Sequence, residues 1–413
     1  MGHQTLDIIA NRPAQLSEGL AGRKILIIVE NLPVPFDRRV WQEARTLRDA
    51  GAQVSIICPT GKDHEARYEL LENIHIYRHP LPFEAAGALG FGLEYGMALF
   101  WETVLAWRIL FRHGFDTLQG CNPPDLMFLI AWQFKLLGKR YIFDHHDINP
   151  ELFEAKFGRR GGLWRLVRLA EWLTFKTADT VISTNESYRK IAMTRGGKRA
   201  DEVFVVRSGP DLSRVRKVPP NPDLRNGRRF LVGYVGVMGD QEGIDLLLDA
   251  VQHLICQMGR TDIQFTLVGG GPSLGELQSK SRDMGLDDFV TFTGRAPDHA
   301  LFEVLSTADV CVNPDRVNPM NDQSTMNKIL EYMALGKPIV QFDVVEGRFS
   351  AKAASLYAKA NDPIDFAEKI SELLDDQQMR ARMGTFGRSR IERKMAWAHE
   401  APKLIDAYLH AGK

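Results

Sequence analysis

Short apolar runs alternate with amphipathic helical patterns along almost the whole chain, which predicts parallel βα units rather than a repeat array or an antiparallel sandwich. In the first half the runs predict strands at Lys24–Glu30, Gln53–Cys58, Ile74–Tyr77, Thr117–Gln119, Arg140–Asp144, Asp179–Ser183 and Val203–Arg207, with helices in the gaps. At 217–229 the sequence Lys-Val-Pro-Pro-Asn-Pro-Asp-Leu-Arg-Asn-Gly-Arg-Arg breaks the pattern with prolines and polar residues, and an interdomain linker is expected there. A second set of runs predicts strands at Phe230–Val235, Gln264–Val268, Val290–Phe292, Val310–Val312 and Pro338–Gln341. The expected class is α/β, with a leader over 1–22, a first parallel-sheet domain over 23–216, a second over 230–390 and a closing helical segment over 391–413. In open parallel sheets ligands sit beyond the carboxyl ends of the strands, so the candidate residues are those just after each run.

Length agrees with this division, because 413 residues exceed what one core usually organises. Apolar and charged contents of 44% and 25% are those of a soluble globular protein, and no uncharged apolar run reaches the length of a spanning helix. The first residues place acidic and polar side chains where a signal peptide would carry its apolar core, so a cytoplasmic location is expected. Cys58, Cys121, Cys256 and Cys311 are far apart, and three of them lie in or beside expected strands, which suits small buried residues better than a disulfide or zinc framework. The net charge of zero hides a basic stretch, since residues 156–200 hold eleven Lys or Arg against three acids. Within it, the run from Arg159 to Lys176 interleaves arginines with Trp164, Leu169, Trp172 and Phe175, as an interfacial helix would; a helix with an ordinary basic wet side is the alternative. A pI near 7.2 and the lack of aromatic stacking motifs argue against a nucleic-acid partner.

Three places carry candidate chemistry. From Ser324 to Val340 the chain reads as a helix leading into a buried strand, with Ser324 or Thr325 expected as the cap, Met326, Ile329, Leu330 and Met333 as the apolar stripe, and Gly336 as the stop. Backbone amides at such a helix start suit a phosphate, and Glu331, two turns into the expected helix, could accept hydrogen bonds from ribose hydroxyls. Glycine turns follow two strands, Gly236-Val-Met-Gly239 and Gly269-Gly270-Gly271; they fit close approach to a ligand and also plain tight connections. Asp144-His145-His146-Asp147-Ile-Asn-Pro-Glu151 gathers imidazoles and carboxylates at one strand end, and a polar site facing a cleft is expected ahead of a metal site on Asp144, His145, His146 and Asp147.

Together these motifs resemble a retaining glycosyltransferase of family 4 with the GT-B fold, from the branch that builds bacterial O-antigens and exopolysaccharides. The resemblance rests on Asp144–Glu151, on Val235-Gly-Val-Met-Gly-Asp-Gln-Glu-Gly243, on Leu267-Val-Gly-Gly-Gly-Pro272, on Phe292-Thr-Gly-Arg295, on Ala308-Asp-Val-Cys-Val-Asn-Pro314 and on Leu330–Val340, in the family's order. The tail from Met395 to Tyr408 resembles the closing helix that crosses back onto the N-terminal domain of this fold.

The resemblance implies transfer of a sugar from a nucleotide-diphosphate donor with its anomeric configuration kept, between two Rossmann-like domains, without a cofactor or an obligatory metal. It places the donor on the C-terminal domain, with Glu331 on the ribose and the segment Gln323, Ser324, Thr325, Met326, Asn327 and Lys328, together with Gly236, Gly239, Gly269, Gly270 and Arg295, around the diphosphate and sugar. His146 would face the reacting sugar with Asp147 orienting it, and the loop at Asp37, Arg38 and Arg39 would serve the acceptor. The acceptor is expected to be a saccharide carried on a polyprenyl lipid at the inner membrane surface, with the basic run and apolar Met97–Leu110 as contacts. The chain departs from the family where an Arg and a Lys usually clamp the diphosphate, since those positions are Val237 and Glu242, and where a first glutamate is usual, which here is Gln323. The N-terminal glycine-rich loop is replaced by Asn31–Arg39. Either Lys328, Arg295, Arg316, Arg38 or Arg39 substitutes, or the chain is a catalytically silent sugar-nucleotide-binding subunit; a sugar-nucleotide epimerase is the other enzyme reading.

Overall fold

The computed structural model describes residues 19–80, 87–158 and 160–412, and the chain divides into two compact units, Met1–Ser208 with Glu400–Lys413, and Gly209–His399. Most of the expected leader, residues 1–18, and Arg159 of the basic run lie outside the described residues.

The first unit is built on strands β1 Lys24–Ile28, β2 Gln53–Pro59, β3 Tyr68–Leu71, β4 Ile74–His79, β5 Thr117–Cys121, β6 Arg140–His145, β7 Thr180–Ser183 and β8 Val203–Val205. They form one sheet in the order β3-β4-β2-β1-β5-β6-β7-β8, parallel except for β3. Six of the seven residues of β2 are buried, as expected of a strand covered on both faces. Its helices are α1 Arg38–Asp49, α2 Gly87–Arg112, α3 Phe128–Lys135, α4 Asn149–Phe157, α5 Gly162–Thr177 and α6 Glu186–Thr194. The antiparallel edge strand β3 was not expected from the sequence. It is four residues long with no buried side chain, and its hairpin turns on Glu72 and Asn73, both at positive φ, without the glycine that usually marks such turns.

The second unit carries β9 Phe230–Val235, β10 Ile263–Val268, β11 Val290–Gly294, β12 Val310–Asn313, β13 Ile339–Phe342 and β14 Ser355–Ala358, all parallel, in the order β11-β10-β9-β12-β13-β14. Its helices are α7 Ile244–Cys256, α8 Leu274–Asp283, α9 Asp298–Thr307, α10 Asn327–Ala334, α11 Val345–Ala351, α12 Pro363–Asp375 and α13 Gln377–Arg390, and α14 Trp397–Ala411 follows. Strand β9 shows the two-faced core: Phe230, Val232 and Tyr234 pack into one apolar cluster with α7 and α12, while Leu231 and Val235 pack into another with α9 and α10.

The segment expected as a linker, 217–229, lies inside the second unit, and the chain passes between units at Ser208–Gly209. Two of its backbone amides and one side chain secure the end of α9: the Val218 amide donates to Ser306 Oγ at 3.1 Å, the Asn221 amide to Thr307 Oγ1 at 2.8 Å, and Arg225 pairs with Asp309 at 2.6 Å. Prolines in this strap shape a fixed path over the surface. From Glu400 onward α14 belongs to the first unit. Glu400 accepts the Arg207 amide at 3.0 Å, and the buried Tyr408 hydroxyl donates to Gln119. The architecture is two Rossmann-like parallel-sheet units with a closing helix that returns to the first.

Candidate functional site

Each sheet reverses its strand order once, between β1 and β5 and between β9 and β12, and the carboxyl ends of those pairs are where such sheets bind ligands.

At the β9/β12 point the two glycine turns lock together. The Gly236 amide donates to Val268 O at 3.1 Å, the Met238 amide to Gly270 O at 3.0 Å and the Ser273 amide to Met238 O at 3.0 Å. A Cβ on Gly269, at φ +145°, would stand 1.8 Å from Gly236 O, so Gly236 and Gly269 serve the contact between turns. Gly239 faces open space and Gly270 touches only the Arg295 backbone and Cβ at about van der Waals distance, which leaves these two on the open side of the turns.

Helix α10 begins at Asn327 with Met326 at its cap position, and no side chain caps it. The expected cap Ser324 turns away: its hydroxyl donates to Met320 O at 2.8 Å, and Gln323 Nε2 donates to Pro319 O at 2.8 Å, within a short 3₁₀ turn over Asn321–Gln323 that aims both side chains backwards. Lys328, in the first turn of α10, is engaged by Glu242 and, at 2.7 Å, by Asp315 Oδ1, with its ammonium 5.0 Å above the Tyr234 ring. Burial of this cluster disfavours charge, yet the two carboxylates more than offset it and raise the Lys328 pKa well above the ordinary value. Asp315, fully enclosed, is pushed up to about 8, by burial first and then by Glu242, against the pull of Lys328. One turn further along α10, Glu331 Oε1 accepts from Arg214 at 3.1 Å, and Arg214 also holds Asp298 at 2.8 Å. Of the other candidate cations, Arg316 pairs with Asp245 and donates to Asp240 O at 3.1 Å, while Arg295 is an exposed residue just after β11.

Three residues of this centre were missed by sequence reasoning. Asp315 follows β12 in Asn-Pro-Asp and its signal was that strand end; Tyr234 sits inside an apolar strand, and Arg214 lies 117 positions from Glu331, so neither had a local signal.

In the first unit, beyond β6, His146 Nε2 lies 2.6 Å from Asp144 Oδ2 and 3.0 Å from Arg39 Nε. Asp144, and not the expected Asp147, is therefore the residue that orients His146; Asp147 enters through its backbone, its amide donating to Asn122 Oδ1 at 3.1 Å and its carbonyl accepting from Asn122 Nδ2 at 2.6 Å. Burial works against the His146 charge, but Asp144 overrides it and raises its pKa. Asp144 is kept below the usual carboxylate range because Arg39 and His146 outweigh its burial.

The expected acceptor loop is instead a helix start. Asp37 caps α1 by accepting the Val40 amide at 3.0 Å, and Arg39 points inward, 3.0 Å from both Asp144 and Glu43 and donating to Val206 O and Ser208 Oγ at 3.0 Å. Only Arg38 of the three is exposed. His145, with its ring among Phe143, Phe175 and Tyr188, is neutral and apolar in setting; burial depresses its pKa to about 3. Cys121, Asp144 and His146 bring potential ligand atoms within 4.8 Å of one another, but the Arg39 guanidinium already supplies the positive charge there, and this donor set does not fit a divalent ion.

A family model described as "Glycosyltransferase Family 4" matches residues 37–214, and one described as "Glycosyl transferases group 1" matches residues 229–376. The chain is 26% identical over 298 residues to alpha-maltose-1-phosphate synthase of Mycolicibacterium smegmatis, covering 66% of this chain and 73% of that protein. It is 23% identical over 258 residues to D-inositol 3-phosphate glycosyltransferase of Corynebacterium kroppenstedtii, covering 58% of this chain and 55% of that one, so the match spans about half of that relative's length. Among solved structures, sucrose-phosphate synthase from Thermosynechococcus elongatus superposes with a TM-score of 0.74 at 19% identity, over 94% of this chain and 98% of that one. HepE of Anabaena in complex with UDP and glucose gives 0.71 at 17%, over 94% and 99%. The fold is thus that of GT-B glycosyltransferases, and the two family models support a glycosyltransferase of family 4.

Proposed function

We propose that this protein transfers a sugar from a nucleoside-diphosphate sugar to a lipid-linked saccharide, with retention of configuration, in the building of a bacterial surface polysaccharide. The observation that carries the reading is the arrangement at the β9/β12 switch point, where the uncapped start of α10 and the Lys328 ammonium lie one helical turn from Glu331. The amides and partial positive charge of that helix start would hold the diphosphate and stabilise the charge that grows on it as the sugar departs, and Glu331 would accept from the ribose hydroxyls. In the first unit the Asp144–His146 pair is assigned to the reacting sugar, with the imidazole offering its other ring nitrogen to a hydroxyl. In this proposal the diphosphate is met by protein groups, so chelators leave turnover unchanged. The neighbour solved with UDP and glucose agrees with a nucleotide-sugar donor. Retention and the lipid-linked acceptor rest on the motif resemblance.

A silent sugar-nucleotide-binding subunit is the second reading, and it is favoured by one observation: Lys328 is already neutralised by Glu242 and Asp315. Calorimetric titration with UDP, GDP and dTDP, comparing wild type with Glu331→Ala, tests donor binding. Binding of one nucleotide, weakened by the substitution, supports the site; binding of none removes it. Release of free nucleoside diphosphate from the matching sugar nucleotide then separates enzyme from silent subunit.

A further inference from the structure

The first unit presents a broad apolar surface on three neighbouring helices. Helix α3 packs against both α2 and α5: Trp107 of α2 donates to Gln133 at 2.9 Å and meets the Phe134 ring at a tilt, 5.1 Å between centroids, and Lys135 of α3 donates to the Thr177 carbonyl at the end of α5 at 2.8 Å. On α2, Phe100, Val104 and Phe111 recur at helical spacing on the side facing away from the buried Ala98, Leu105 and Ile109. On α3, Trp132, with Leu136 just past its end, does the same opposite Ile130, Ala131 and Phe134. Phe111 is 82% exposed and Leu136 89%, and α5 adds Leu166 and Trp172. Apolar residues in such number on adjacent helices mark an interaction surface.

Its charge identifies the occupant. The exposed charged side chains on these helices include Arg108, Arg112, Arg165 and Lys176, whereas the acids among their described side chains, Glu102 and Glu171, are buried. Trp172 has Lys176 6.0 Å above its ring, and Trp164 lies between Arg160 and Arg168 at 5.4 and 5.8 Å. A second copy of the chain docking through a twofold axis would set these cations against themselves. Anionic headgroups satisfy them while the apolar tips enter the acyl boundary, and tryptophan and arginine are the residues that suit that boundary. No helix among the described residues is long and apolar enough to cross a membrane.

We infer that the α2–α3–α5 face of the first unit is a docking surface for an anionic lipid bilayer. The inference rests on the proposed reading in which the acceptor is lipid-linked, and it locates where that acceptor's membrane meets the protein. The test is flotation of the full chain with phosphatidylcholine vesicles and with vesicles that also contain phosphatidylglycerol, at low and high salt. Wild type floats with the anionic vesicles and less so at high salt. Phe111→Glu with Leu136→Glu lowers the bound fraction by about tenfold, the size expected when charges enter the acyl boundary. The charge reversal Arg165→Glu with Lys176→Glu abolishes the preference for anionic lipid, and Ile364→Glu, at a 50% exposed apolar position of the second unit, changes nothing. Thermal melts confirm that each variant is folded. Absence of flotation, flotation that survives both double variants, or a dimer in sedimentation velocity that the Phe111→Glu/Leu136→Glu variant dissolves would each overturn the inference. Nucleotide titration of the same variants reads the donor site separately, so loss of docking with intact nucleotide binding leaves the transferase reading standing.

Discussion

Arg214 and Glu331, 117 positions apart in sequence, are joined by a 3.1 Å hydrogen bond, and the other arm of the same guanidinium holds Asp298 at 2.8 Å. Glu331 is the carboxylate assigned to the donor ribose, so Arg214 sets which of its oxygens is presented. Arg214→Met is expected to weaken nucleoside-diphosphate binding by about threefold to tenfold, the cost of losing one orienting bond to a charged group. Glu331→Ala should cost more, because it removes the acceptor itself. Calorimetry on both variants decides the role of the arginine: tighter binding in Arg214→Met would mean that Arg214 competes with the ribose instead of positioning its partner.

Lys328 lies between two carboxylates, and Asp315 is almost wholly buried while Glu242 is about a quarter exposed. Replacing one partner of such a cluster strands the others, so Lys328→Met should lower stability by about 3 kcal/mol, seen as a shift of the urea midpoint without a change in slope. Glu242→Gln is the informative counterpart. It removes one negative charge from beside Lys328 at the start of α10, and nucleoside-diphosphate affinity is expected to rise several-fold. An unchanged affinity would show that Lys328 does not reach the phosphates.

The residues that were legible in the sequence are those whose signal is local. The strands around β9 and β12 read from their apolar runs to within about a residue, because a strand covered on both faces has little other composition available. The end of α10 at Gly336, φ +63°, followed from spacing, whereas its start is at Asn327, later than the Ser324 or Thr325 cap implies, so Glu331 stands one turn inside the helix and not two. Strand β14, Ser-Leu-Tyr-Ala, is only four residues long, too short a run to set a period, and β3 has no buried residue. What sequence could not supply was partner choice. Asp144 rather than Asp147 holds His146, Asp37 caps a helix, and Arg39 is drawn inward to Asp144 and Glu43, and each of these outcomes depends on which elements the sheet order places side by side. The 217–229 strap misled for a related reason: proline-rich polar sequence marks irregular backbone, and only the contacts with Ser306, Thr307 and Asp309 show that it is fixed.

The closing helix is held to the first unit by one buried hydroxyl in particular. Tyr408 donates to Gln119 Oε1, whose amide nitrogen in turn donates to Glu43 at 2.8 Å and Asp144 at 3.0 Å. Tyr408→Phe leaves the Gln119 oxygen buried without that donor and should destabilise the protein by about 1–3 kcal/mol. Because Gln119 also touches the carboxylate that orients His146, turnover should fall together with stability. A variant that loses stability while keeping its turnover would separate the helix from the Asp144–His146 pair.

His145 offers a pH test whose sign is fixed by burial. Its ring sits among Phe143, Phe175 and Tyr188, and desolvation, helped by the Arg195 charge, lowers its pKa to about 3. In the unfolded chain a histidine titrates near 6.5, so between about pH 6.5 and 3 the unfolded state takes up a proton that the folded state refuses. Stability from this residue is therefore present above the unfolded value and lost as pH falls. At pH 5 the loss amounts to about 2 kcal/mol relative to pH 7. His145→Phe abolishes that contribution while keeping an aromatic ring in the cluster. Its absolute stability includes a packing change, but the difference between pH 7 and pH 5 does not. Urea unfolding of both proteins at the two pH values is expected to show a drop that is about 2 kcal/mol smaller in the variant, whereas equal drops would mean that His145 takes up its proton in the folded state.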